Sequence, residues 1–365
     1  MTTSEVFFAD LHVKWGDSIL MKFERLLRAS GMDKMDLEKK FVAIKTHFGE
    51  PGNMSILRPN YAKVVADVVK ECGGIPFLTD SNTLYVGRRK HAPEHMDSAY
   101  ENGYSPMSTG CQIIIADGLK GSDDVEMPVD GDYVKNAKIG RAVADADVII
   151  SLSHFKGHEL TGFGGAIKNV GMGAASRAGK MEMHSAGKPS VDGKLCKACK
   201  KCLKACAHGA LSVSKNASID KGKCVGCGRC IAACSFDAIS AQMDESNDIL
   251  NAKIVEYTAA VLKDKPAFHI SLAIDISPYC DCHADNDIPI VPNVGMFASF
   301  DPVALDKACA DAVNKQPALK GSKADVISER DIFGKSQPVT EWRSTIAHGV
   351  KMKLGSDQYK IVNVK

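Results

Sequence analysis

Aromatic side chains are scarce, 6% of the 365 residues, which argues against the stacking platforms that hold single-stranded nucleic acid. Charge of one sign is not in excess either. The 46 Lys and Arg stand against 44 Asp and Glu, a formal +2, so no global field directs the chain to nucleic acid or to an anionic membrane. No stretch approaches the roughly 18 apolar residues of a membrane span. Residues 1–10 lack a basic start, a sustained apolar run and a cleavage site. A G-x-G-x-x-G turn with a suitably placed acidic residue downstream is also missing, so no nicotinamide site is expected. These absences predict a cytoplasmic protein that spans no membrane and binds no nucleic acid.

Cysteine, by contrast, is abundant: thirteen residues. In a reducing compartment such cysteines are metal ligands more often than disulfides. Two runs decide the matter, Cys196-Lys-Ala-Cys199-Lys-Lys-Cys202-Leu-Lys-Ala-Cys206 and Cys224-Val-Gly-Cys227-Gly-Arg-Cys230-Ile-Ala-Ala-Cys234. Both read C-x2-C-x2-C-x3-C, in which three closely spaced thiolates hold one cubane and the fourth reaches the other. The assignment is therefore interleaved. Cys196, Cys199, Cys202 and Cys234 take one [4Fe–4S] cluster, and Cys224, Cys227, Cys230 and Cys206 the other. The segment resembles bacterial two-cluster ferredoxins, except that Ala207 and Ser235 replace the proline usual after the fourth cysteine. Lys194, Lys197, Lys200, Lys201, Lys204, Lys221, Lys223 and Arg229 crowd it. They read either as a landing face for an acidic redox carrier or as a solvated surface that offsets cluster charge.

The flanks alternate strand and helix patterns. Phe41–Lys45, Ile75–Thr79, Ile113–Ala116, Asp147–Ser151 and Phe268–Ile274 read as strands, and Ile288–Val291 more weakly. Pro59–Cys72, Ser246–Lys263 and Asp301–Val313 read as helices. The fold class is α/β, a sheet domain with helices formed by residues 1–190 and 242–365. It is interrupted at 191–241 by a small α+β two-cluster ferredoxin-like domain.

Polar motifs follow the strands, and ligands of open α/β sheets gather at strand carboxyl ends. Lys45, His47 and Glu50 follow the first strand, and Asp80 and Asn82 the next. Lys156, His158, Gly162, Gly164, Gly165, Lys168 and Asn169 follow the fourth, and Cys280, Cys282 and His283 the fifth. Lys45, His47, Glu50, Lys156, His158 and Lys168 are the candidate acid–base and catalytic groups. Gly162, Gly164, Gly165 and Asn169 would let a small anionic cofactor or substrate sit on the amides of a following helix. The alternative is a tight turn without a ligand. Cys280, Cys282 and His283 offer soft S and N donors for a further metal ion, completed by His154, His158 or His184. They read equally as a redox-active thiol pair or as an inert loop.

Taken together, these motifs resemble the domain-of-unknown-function 362 family, in its ferredoxin-bearing branch. The resemblance implies an α/β fold and an iron–sulfur protein, and names no substrate. A second resemblance is to the nickel-pincer lactate racemase family, on His158-x3-Gly162-Phe163-Gly164-Gly165-Ala166-x-Lys168-x4-Gly173. It implies an active-site role for His158 and cofactor attachment for Lys168, although Gly164 and Ala166 depart from that family's serine and glycine.

The function expected is an iron–sulfur oxidoreductase relaying electrons from a carrier, such as an acidic ferredoxin, to a small-molecule site in the α/β domain. An electron-carrier or scaffold subunit docking a partner enzyme is the first alternative. A non-redox isomerase or lyase with structural clusters is the second.

Overall fold

The computed structural model describes residues 3–85, 87–184, 188–242 and 245–365. Eight strands form its central sheet: β1 (Ser4–Ala9), β2 (Phe41–Lys45), β3 (Ile75–Asp80), β4 (Gln112–Ile115), β5 (Val148–His154), β6 (Ala267–Ala273), β7 (Gly295–Ser299) and β8 (Tyr359–Asn363). Their order is β8-β1-β7-β6-β5-β2-β3-β4. Strands β6, β5, β2, β3 and β4 pair in parallel. β7 runs against both its neighbours, β1 and β6, and β8 pairs in parallel with β1.

Successive strand side chains point to opposite faces, and here both faces are covered. Val42, Ile44, Val148, Ile150 and Leu152 pack into one apolar layer with helices α1 (Ile19–Ala29) and α2 (Pro59–Glu71). Ala43 and Ile149 face the other layer, built on α3 (Ala166–Ala174), α5 (Asn247–Leu262) and α6 (Pro302–Asn314). A short helix α4 (Arg177–His184) follows α3. Burial on both sides is why β5 reads as an unbroken run with every residue buried. Asp301 caps α6 by accepting from the Val303 and Ala304 amides at 2.9 Å each, a device stabilising a helix by about 1 kcal/mol. Ser246 holds the N-cap position of α5, but its side chain accepts no capping hydrogen bond.

Ile288–Val291 is not a strand. Ile290 and Val291 are buried, but the Ile290 amide donates to Ile276 O at 2.8 Å and its carbonyl accepts from Leu319 at 2.9 Å, in a loop. The apolar signal there reflects core filling, and the true strand is β7, a few residues on.

The sheet draws strands from both sides of residues 189–241. That segment has its own antiparallel pairs, Pro189–Val191 with Ile239–Ala241 and Leu211–Val213 with Ala217–Ile219. Two one-turn helices, Lys201–Ala205 and Arg229–Ala233, accompany them. Its small core contains Cys202, Cys230, Ile231, Cys234 and Ile239, and is completed by Leu84 and Met181 from the sheet domain. Among the described residues, no helix is long and apolar enough to cross a membrane.

Candidate functional site

A cavity of about 350 Å³ opens at the carboxyl ends of β2, β3 and β5 and the loop after β6. Lys45, at the end of β2, places Nζ 3.0 Å from Asp80 Oδ1 and 2.9 Å from Asn169 Oδ1. Burial pulls its pKa down, against the pull of Asp80. Arg89 is buried beside it, with Nε 3.0 Å from Glu50 Oε2, Nη2 3.0 Å from Tyr85 Oη and Nη1 3.7 Å from Asp80 Oδ2. Glu50 therefore stands behind Arg89 rather than in the cavity wall. His47 does line the cavity. Burial, reinforced by Arg89, keeps its ring neutral, and its Nδ1 accepts from the Gly49 amide at 3.0 Å.

The opposite wall is the hairpin Lys156–His158 with Gly162–Gly164, in register Lys156 to Gly164 and His158 to Gly162. A Cβ at Gly164 would sit 2.8 Å from Lys156 Nζ and would displace the end of that side chain. Lys156 Nζ lies 3.9 Å from Cys280 Sγ. Burial opposes its charge, but Cys280 and Asp281 more than compensate and raise its pKa. His158 Nδ1 accepts from the Leu160 and Thr161 amides, both at 3.2 Å. The ring proton is thus on Nε2, 3.7 Å from Glu159 Oε2. Burial and the charge of Lys168 keep His158 neutral. Lys168 projects from the first turn of α3, half-buried, with no carboxylate partner among the described residues. Asn169 Nδ2 donates to Lys45 O at 2.9 Å and Ser153 Oγ at 3.1 Å, clamping β2 to β5.

Two features of the glycine-rich stretch differ from the sequence reading. Gly162, at φ +82°, turns away from the cavity, and a Cβ there would meet Trp342 Cβ at 2.8 Å. The amides at the start of α3, expected to receive an external anion, are already occupied. Asp306 on α6 accepts from Ala166 at 2.7 Å and Ile167 at 3.0 Å. Its burial against Gly165 raises its pKa to about 7.

Cys280 and Cys282 both line the cavity. The neighbouring Cys282 and then burial push the Cys280 thiol up to about 11. Cys282 moves down, first because the Cys280 thiol donates to it and then through Lys168 and Arg89. The first proton of the pair therefore leaves Cys282. His283 does not join them: its half-exposed ring turns to Glu159 Oε1 at 3.3 Å. His154 is also spent, with Nδ1 2.9 Å from Asp281 Oδ2 and Nε2 2.7 Å from Ile274 O. His184 lines the cavity, its pKa pushed down to about 3 by burial and by Lys168. Among the described residues, the set of three or more metal-type groups within 4.8 Å of one another is Asp132, Glu256 and His348. The trio Cys280, Cys282 and His283 expected to hold a single ion does not converge, because the turn aims the histidine outward.

In the cysteine segment, Cys196, Cys199, Cys202 and Cys234 line one small cavity. Cys206, Cys224, Cys227 and Cys230 line a second. All thirteen cysteines of the chain are free thiols. Among the described residues, neither foursome has three Sγ atoms within 4.8 Å of one another.

A family model described as "Domain of unknown function (DUF362)" matches residues 42–311, from β2 into α6. The chain belongs to this family. It is 30% identical over 120 residues to "Thylakoid-associated protein sll1697" of Synechocystis sp., a match covering 33% of this chain and 34% of that protein. The chain thus spans about a third of the length of this curated relative. Among solved structures it is similar to the lactate racemase apoprotein from Thermoanaerobacterium thermosaccharolyticum. There the TM-score is 0.38 and the identity 13%, over 74% of this chain and 51% of that one. It is also similar to a structural-genomics protein from Thermotoga maritima, with a TM-score of 0.42 and 13% identity, over 82% of this chain and 60% of that one.

Several cavity residues of this DUF362 chain carry little sequence signal. Asp281 and Glu159 sit between motif residues and were readable in principle. Lys180, whose pKa burial lowers to about 8, lies in α4 with no motif around it. Asn82 has a structural task, with Nδ2 donating to Asp117 Oδ1 at 2.7 Å and Gly118 O at 2.9 Å. Asp80 Oδ2, Ser81 Oγ and Thr83 Oγ1 are buried without a hydrogen-bond partner, and their residues line the cavity. The two hydroxyls are left for a ligand, whereas Asp80 Oδ2 already faces Arg89 Nη1 at 3.7 Å and His95 Nε2 at 3.6 Å.

Proposed function

We propose that the protein is a cytoplasmic iron–sulfur oxidoreductase of the ferredoxin-bearing DUF362 branch, feeding electrons to a small anionic substrate in the α/β cavity. The observation that carries this is the sorting of eight cysteines into two foursomes. Each foursome takes three thiols from one run and one from the other. That is the ligand set of two [4Fe–4S] clusters. When bound, the clusters supply one-electron storage. The free thiols and the soft all-sulfur donor sets fit the group.

The cavity favours an anion, since five basic side chains (Lys45, Arg89, Lys156, Lys168, Lys180) line it against three carboxylates (Asp80, Glu159, Asp281). Lys45 and Arg89 are committed to Asp80 and Glu50, Lys180 Nζ donates to Ala175 O and Lys156 Nζ faces Cys280 Sγ, so Lys168 is the cation best placed for a carboxylate or phosphate. Ser81 and Thr83 have hydroxyls free to orient the rest of the molecule. His158 can donate a hydrogen bond from Nε2, and Cys282, which ionises first of the thiol pair, is the group beside Lys156 that can give or take a proton. Exposed Lys197, Lys200, Lys201 and Lys204 suit an acidic carrier protein.

Anaerobically purified protein is expected to hold about eight iron and eight sulfide per chain. Reduced protein is then expected to be reoxidised by substrate and by nothing else in a matched panel of small anions. Zinc in place of iron would end the proposal. Full clusters that no small anion reoxidises, in a protein that binds a partner enzyme stably, would instead make it a carrier subunit.

A further inference from the structure

The two cysteine runs share a backbone but not a surroundings. In the first, Ala198 and Lys200 adopt φ of 50° and 63°; at the matching places of the second, Gly226 and Gly228 adopt 72° and 66°. A left-handed residue with a side chain costs roughly 1–2 kcal/mol, so glycine would be the easier choice in both. The first run tolerates Lys200 because its side chain goes into solvent. The second run excludes any side chain, because a Cβ on Gly228 would lie 2.8 Å from Cγ and Cδ of Arg177. At this turn the first run faces water and the second is pressed against Arg177 of the sheet domain.

Arg177 itself is fully buried. Its Nε donates to Thr83 O at 3.2 Å, its Nη1 to Lys120 O at 2.8 Å and its Nη2 to Lys90 O. All three acceptors are carbonyls, and it forms no ion pair with a carboxylate among the described residues. A buried guanidinium held only by carbonyls is costly unless negative charge lies nearby. Burial disfavours its charge, and Asp117 and, once ionised, Cys230 are the groups whose fields favour it. Beyond Arg177 the chain leads straight to the cavity. Thr83 and Leu84 line it, and Leu84 also packs in the core that holds Cys202, Cys230 and Cys234. At the far side Cys199 is exposed, amid exposed Lys197, Lys200, Lys201 and Lys204.

We infer that the relay is polar. The set Cys206, Cys224, Cys227 and Cys230 is the one coupled to the cavity, through Arg177 and Thr83; Leu84 packs against cysteines of both sets. The set containing Cys199 receives electrons from outside. Arg177 is the positioning residue of this junction, and it holds a positive charge against the inner set. The inference rests on the iron–sulfur reading above. Each passage oxidises a low-potential one-electron carrier protein by one electron. A two-electron reduction of substrate takes two passages, with two protons entering at the cavity.

The test is an anaerobic redox titration of the full holoprotein by electron paramagnetic resonance, on wild type, Arg177→Lys and Arg177→Met. Cys199→Ser and Cys227→Ser variants identify which signal belongs to which set. Removing the buried charge should lower the midpoint potential of the Cys227 set alone, and lysine should restore most of it. Equal shifts in both sets, or a shift confined to the Cys199 set, would overturn the polarity. If Arg177→Met does not fold, wild type still decides. Brief ferricyanide treatment should first destroy the set that contains Cys199, the one exposed cysteine among the eight, and prior loss of the Cys227 set would overturn the inference. A wild-type iron content well below about eight per chain would instead remove the cluster reading beneath it.

Discussion

In the cysteine segment, three members of each foursome come from one short run and the fourth from the other run, and two copies of one short backbone make the arrangement. In the cavity, the residues that meet come from positions 45 to 283, and each is held by a partner from another element. Lys45 needs Asp80 and Asn169, Arg89 needs Glu50, and α3 needs Asp306. The segment is built by local spacing, and the cavity exists only once the sheet is complete. Damage to the first should stay local, whereas damage to the second should show in stability as well as in chemistry.

The largest expected effect is on the interleaving itself. Cys206→Ser should cut iron from about eight to about four per chain and abolish the signal of the Cys224, Cys227 and Cys230 set. The sheet domain should unfold at an unchanged denaturant midpoint. Loss of the Cys196, Cys199 and Cys202 signal instead would show that each run closes on itself.

Acid should act on the sheet domain. Burial pushes His184 and His269 down to about 3, so both are neutral in the native protein while the unfolded chain protonates them near pH 6.5. The unfolded state then binds more protons between about pH 6.5 and 3. The stability present above pH 6.5 should be lost across that window, by roughly 1.4 kcal/mol per pH unit for each histidine. Urea unfolding at pH 7, 6 and 5 measures it, and a flat profile would mean that these rings gain protons without unfolding.

The two matched backbone positions make the next comparison. Gly228→Ala combines a left-handed side chain, about 1–2 kcal/mol, with overpacking against Arg177, about 1–3 kcal/mol. Lys200→Ala should stay within about 0.5 kcal/mol, as exposed substitutions usually do. Similar losses for both, read by thermal unfolding, would dissolve the asymmetry between the runs.

The smallest effect concerns Lys168, the unpaired cation. Lys168→Ala should leave clusters and stability in place while weakening binding of a small dianion about tenfold, or ~1.4 kcal/mol. Isothermal titration with inorganic phosphate provides the reading, and unchanged binding would shift the anion to Lys156.

Much of this arrangement was legible in the residues. β2, β3, β5 and β6 announce themselves because burial on both faces writes apolar runs, and the edge strand β4 shows through its three isoleucines although Ile114 is exposed. Lys45, His47, Lys156, His158, Lys168 and the two cavity cysteines meet because each follows a strand of one sheet. What could not be read depends on distant partners. Gly162 turns toward Trp342, and Asp306 fills the helix start from 140 residues away. His283 prefers Glu159 to the thiols. Ile288–Val291 looked like a strand because a buried loop and a strand need the same apolar side chains. β1 and β8 lie outside the alternation of strand and helix that revealed the others.

The place of β1 bears on how the protein is made. Residues 4–9 pair with β7, at 296–298, and with β8, at 359–363. At roughly 5–20 residues per second, the ribosome delivers β7 about 15–60 seconds after β1. Throughout that delay Val6, Phe7 and Phe8 have no strand to join. The eight cysteines of the two runs emerge in the middle of this wait, before β6, β7 or β8 exists. Any iron delivered during synthesis would therefore reach a nascent chain whose sheet still lacks three strands, with an apolar N-terminal edge open to chaperones and to other nascent chains.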